Sequence, residues 1–78
     1  MNVCITINNN ITYDYFDKND IYLWLSGRFL FTKPEVRQNI AYEIINYGSS
    51  EFYHYNDLYH HNDHIIIKTT MINCDLEI

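Results

Sequence analysis

Four histidines, His54, His60, His61 and His64, fall within eleven residues, and imidazole is the commonest side-chain ligand for metals. His61 and His64 flank Asn62-Asp63. If that pair is a two-residue turn, the flanking imidazoles stand directly opposite, with Cβ atoms about 4.5–5.5 Å apart, close enough to share an ion. Asp57 or Asp63 would offer a third ligand. The spacing H-x-x-H, with no Cys or Glu at a fixed distance, matches no zinc motif, so solvated imidazoles on a polar hairpin face are the competing reading. Nucleophilic chemistry finds less support. Cys4 lies in an alternating apolar segment with no charged neighbour, the reverse of what activates a thiolate. Ser26-Gly27 and Ser49-Ser50 lack the context of a nucleophile elbow, and no glycine-rich loop could hold phosphate. The residues therefore point away from an enzyme. Cys4 and Cys74, in a chain with no signal-peptide pattern, are expected to be reduced, buried thiols of a cytoplasmic protein rather than a disulfide or a redox pair.

The stronger chemical signal is a surface. Eight tyrosines and ten acidic residues share 78 positions with only five basic ones, for a net charge of −5. Asn, Ile and Tyr occur 10, 12 and 8 times, yet lysine only three times, so AT-rich codon usage accounts for the asparagines but not for the missing cations. Bases stack on aromatic rings only beside a positive groove; here Tyr53, His54, Tyr55, Tyr59 and His60 alternate with Glu51, Asp57 and Asp63, which repel phosphate. Direct nucleic-acid binding is therefore excluded, and a basic protein surface is the expected partner. The candidate contacts are two acidic groups, Asp14/Asp17/Asp20 and Asp57/Asp63, with Tyr53, Tyr55 and Tyr59 as desolvated anchors. Asp also caps helices and fills turns for local reasons, which is the plainer account of any one of them. Trp24 is expected half-covered, at the border between the core and the acids around Asp17 and Asp20.

The elements that must position these residues follow from periodicity. Val3, Ile5 and Ile7 alternate with Cys4 and Thr6 as a strand does. Asn8-Asn9-Asn10 supplies the positive φ of a hairpin turn, and residues 11–16 alternate again. Asp17, Asn19 or Asp20 can cap a first helix with Ile21, Trp24, Leu25 and Arg28 at helical spacing. Gly27 either ends it or lies inside it, and Phe29-Leu30-Phe31 would then be a buried connector. Thr32-Lys33-Pro34-Glu35 fits a capping box with proline in the first turn. Val36, Ile40, Ile44 and Tyr47 form a stripe widened by Ala41 and Ile45, and Gly48 is placed as the left-handed C-terminal residue. Beyond it, two Asn-Asp pairs read as turns separating strands at 51–55, 58–61 and 64–72. The expectation is one α+β domain over residues 1–78 in the order ββααβββ, an antiparallel sheet with two helices on one face. No run approaches the ~18 apolar residues of a membrane span.

In size, charge and composition the whole chain resembles the small, acidic, single-domain inhibitors of phages and plasmids, anti-CRISPR proteins above all. The resemblance implies a compact α+β protein acting in the bacterial cytoplasm. Its carboxylates would mimic phosphate and block the nucleic-acid-binding surface of a defence complex. A histidine-based metal module, or an oligomeric subunit whose tyrosines meet copies of themselves, is the alternative.

Overall fold

The computed structural model describes residues 1–29 and 32–70. Two helices pack on one face of a four-stranded antiparallel sheet of order β2-β1-β4-β3. The strands are β1 (Asn2–Ile7), β2 (Asn10–Tyr15), β3 (Ser49–Asn56) and β4 (His61–Thr69); the helices are α1 (Ile21–Arg28) and α2 (Pro34–Tyr47). Asn8 and Asn9 both take positive φ, 49° and 74°, the geometry a two-residue turn needs to match strand twist. Ile7 then pairs with Asn10, as the asparagine run implied.

Because side chains alternate along a strand, the register divides the sheet cleanly. Ile5 stands opposite Ile67 and Ile7 opposite Ile65, and Val3, Ile5, Ile65 and Ile67 are buried with Ile21 and Leu25 of α1, Ile40, Ala41 and Ile44 of α2, Phe16 and Phe29. Asp17 caps a 3₁₀ turn over Lys18–Asp20, its Oδ1 accepting the Asn19 N–H at 2.9 Å. Gly27 lies inside α1, which runs on to Arg28. Of the expected Phe29-Leu30-Phe31 connector, Phe29 is buried; residues 30–31 lie outside the described residues.

Two expectations fail. The chain has four strands among its described residues, in the order ββααββ, because residues 57–60 are a single turn rather than the start of a separate strand. Asn56 Oδ1 accepts the N–H groups of Leu58 (3.0 Å) and Tyr59 (3.3 Å), an Asx-type turn, and His60 closes it with φ 54°. Asn62-Asp63 is therefore inside β4 rather than a turn. The second failure is the capping box. Lys33 occupies the N-cap of α2 with no side-chain cap, and Thr32 contributes its carbonyl, which accepts from Arg37 Nη1. Pro34 at the first helical position and Gly48 (φ 79°) at the C-cap hold as read.

Candidate protein-interaction site

Asp63 is the residue around which the two hairpins are tied. Its side chain sits on the helix-side face of β4, and the residue is only 8% exposed. Asn8 Nδ2 donates to Oδ1 at 2.7 Å and Asn56 Nδ2 to Oδ2 at 3.0 Å. His61 Nε2 lies 2.8 Å from Oδ1; a carboxylate only accepts, so that nitrogen carries the proton. These bonds, Asn56 and Asn8 foremost, hold the Asp63 carboxyl below its ordinary range. Asn8 also exchanges bonds with His64, its N–H donating to the His64 carbonyl and its Oδ1 accepting the His64 N–H. The first turn is thereby fastened to the flank of β4.

That bracing leaves the β3–β4 hairpin standing proud. Ile65 pairs with Ile7, the last residue of β1, whereas the hairpin ladder continues to Asn56–His61. Four further residues of strand at ~3.4 Å each carry it roughly 13 Å beyond β1. At its tip Leu58 is 76% and Tyr59 67% exposed, with Asp57 beside them in solvent. Tyr59 stacks on His61 with ring centroids 5.9 Å apart, and the Tyr55 hydroxyl lies 3.1 Å from His60 Nδ1. Beneath the tip, at the C-terminal end of α1, an open groove of about 530 Å³ runs between Ile7, Arg28, Phe29, His54 and Asp63. Burial holds His54 below the ordinary imidazole range, against the opposing pull of Asp63.

The remaining candidates distribute as follows. Tyr53, Tyr55, Asp57 and Tyr59 share the hairpin. Tyr53 and Tyr55 rise from the face opposite the helices, while Asp57 and Tyr59 sit at the tip. Asp14 is committed internally. It accepts from Trp24 Nε1 at 2.8 Å and from the Tyr15 N–H at 2.8 Å, and pairs with Arg28 at 3.3 Å. The Trp24 bond, then the Tyr15 amide, with a smaller pull from Arg28, lowers its pKa. Trp24 is half-buried as expected, but it leans on Asp14 rather than on Asp17 or Asp20. It stacks on Phe16 at 4.4 Å, with the Arg28 guanidinium 5.9 Å from its ring. Asp17 and Asp20 are exposed, at the far end of the sheet. Four register steps separate Val3, the partner of Asp14, from Ile7, and two more separate Ile65 from Asp63; at ~3.4 Å each Asp14 and Asp63 stand roughly 20 Å apart along the sheet, with Asp17 and Asp20 beyond one end and Asp57 beyond the other. They do not form one patch.

The histidines are also divided. His54 and His61 face the helix side and His64 the other, where its Nε2 donates to Glu51; His60 is in the turn. His61 and His64 thus lie on opposite faces of one strand rather than across a turn. Among the described residues no three His, Cys, Asp or Glu side chains are grouped to hold a metal ion. Cys4 is a free, half-buried thiol, and Cys74 lies outside the described residues. Leu58, the most exposed large apolar residue at the tip, is not among the sequence candidates, because the aromatic run 58–61 reads as a strand; extending the Asn56-Asp57 turn signal by two residues would find it. No helix among the described residues is long and apolar enough to cross a membrane. No protein-family model, curated protein or solved structure matches the chain.

Proposed function

We propose that this chain is a non-catalytic binding protein that presents its second hairpin to a basic surface of another protein. That surface would be the nucleic-acid-holding face of a bacterial defence complex in the host cytoplasm. The observation that carries the reading is the tip itself: Leu58 and Tyr59 are displayed at 76% and 67% exposure on a turn fixed by Asn56 and Asp63. Covering two such side chains with a partner would remove apolar area from water and so favour binding. Pre-ordering the turn removes part of the entropy cost of binding. Asp57 flanks these anchors, and the net charge of −5 supplies attraction toward Arg and Lys that otherwise hold phosphate.

The test is inhibition of target-DNA binding by purified RNA-guided nuclease complexes. Wild-type protein is expected to block DNA binding stoichiometrically, and more weakly as salt rises. The Leu58→Ala/Tyr59→Ala double variant is expected to need at least ~10-fold more protein, a loss in keeping with two anchor side chains. Absence of inhibition, or equal potency in the double variant, would refute the proposal.

A further inference from the structure

The face of the sheet turned away from the helices is bare, and its relief is uneven. The outer strands carry the tall residues: Ile11, Tyr13 and Tyr15 on β2, Tyr53 and Tyr55 on β3, exposed between 44% and 71%. The two inner strands carry a floor of Cys4, Thr6 and Ile66, all half-buried, with His64 and the exposed Lys68 on either side of Ile66 along β4. With strands ~4.8 Å apart, the two walls stand roughly 14 Å from each other. Tyr53 leans inward, its ring 5.1 Å from that of His64. The result is a trough wide enough for one row of aromatic side chains, bordered by rows of that kind.

Charge separates this face from the rest of the surface. Among the described acidic residues only Glu51 rises from it, where it accepts from His64, and Lys68 on the same face brings an opposite charge. Asp14 and Asp63 face the helix side, and the others lie on the helices and turns. A basic partner would be drawn elsewhere, whereas a second neutral face meets no repulsion here.

We infer that two copies of this chain pair through these faces, the β2 wall of each copy seated in the trough of the other. Such a contact is self-complementary, as a two-fold interface must be. The five wall residues, at 150–250 Å² per large side chain and roughly 60% exposure, contribute on the order of 600 Å² per copy, and the floor brings this toward the ~800 Å² per partner of a standard stable interface. The tip of the β3–β4 hairpin stays outside the contact.

Sedimentation equilibrium on the full chain up to about 500 µM tests this. A dimer mass is expected, strengthened by added salt because each copy carries −5 and screening relieves their mutual repulsion. Thr6→Arg, which plants a charge on the floor without touching the core, and Tyr13→Ser, at an exposed position, are each expected to weaken dimerisation at least ~10-fold with unchanged circular dichroism. In a Cys74→Ser background, alkylation of Cys4 is expected to slow as the dimer fraction rises. A monomer at every concentration would overturn the inference. So would a dimer indifferent to both substitutions, which would indicate pairing of strand edges. Leu58→Ala/Tyr59→Ala should leave the dimer intact, separating this result from the fate of the hairpin proposal.

Discussion

A buried carboxylate is normally a cost, and Asp63 shows how that cost is met by converging donors. Asn8, Asn56 and His61 surround it, with the two side-chain amides contributing most and His61 adding a hydrogen bond and a charge attraction. Replacing Asn8 by Gly, which accepts the positive φ of 49° without strain, isolates the side-chain bonds. We expect a loss of about 1–2 kcal/mol in chemical denaturation, with a double-mutant cycle against Asn56→Ala reporting coupling through Asp63. Trp24 is a parallel case. Trp24→Phe keeps the ring against Phe16 and removes the donor to Asp14, so stability should fall by about 1 kcal/mol. The Asp14 pKa should rise toward the ordinary carboxylate value, as NMR titration of the carboxyl would read. No rise would mean that the Tyr15 amide and Arg28 suffice.

At the level of elements, the parts of the fold legible in the sequence were those fixed by local rules. The period-two run 3–7, the Asn8-Asn9 turn and the middle of the α2 stripe each satisfy a constraint that involves only near neighbours. Ile40, Ala41 and Ile44 are buried, whereas Val36, Ile45 and Tyr47, expected on the same stripe, are exposed because the sheet covers only the centre of that helix face. What misled was local chemistry with two competing uses. Asn56-Asp57 and Asn62-Asp63 have equal turn propensity, yet Asp63 is captured by Asn56 and His61 of its own hairpin and by Asn8 of the other, 55 residues away in sequence, and periodicity cannot see that. Thr32 and Glu35 likewise fit a capping box by spacing, but the helix starts one residue later. Thr32→Ala is accordingly expected to change stability by less than ~0.5 kcal/mol. Gly48→Ala is expected to cost more than ~1 kcal/mol, because φ is 79° and the new Cβ would meet Thr69 Oγ1 at 3.2 Å. Urea unfolding of the pair decides both. The candidate site was legible as a composition, tyrosines with acids, but not as a place. Only the register shows that Asp14 and Asp63 are spent inside the fold while Asp57 and Tyr59 are displayed. The edge of β2 is guarded at Tyr15, where the Asp14 carboxylate takes the N–H, a group that would otherwise invite a foreign strand.

Taken as a whole, the molecule should be acid-sensitive in two stages of the same sign. His54 titrates below its unfolded value of 6.5, so between the two values the unfolded chain binds the extra proton and stability declines as pH falls from about 6.5. Asp14 and Asp63 have folded values below the ordinary 3.8; their contribution is complete above that value and is lost as pH drops through the folded ones. Thermal midpoints recorded from pH 7 to 3 should show both declines, and His54→Gln should flatten only the first. The strand order carries a consequence for synthesis. The sheet's central pair joins β1 to β4, Ile5 to Ile67, so the first strand made must wait for the last described strand. Until β4 leaves the ribosome, β1 keeps an open edge and two bare core residues, Val3 and Ile5. A polypeptide arrested before residue 61 should be digested quickly by added protease, and one released beyond β4 should resist. The chain thus cannot fold progressively as it emerges, and incomplete translation products present themselves for degradation rather than accumulating as half-active fragments.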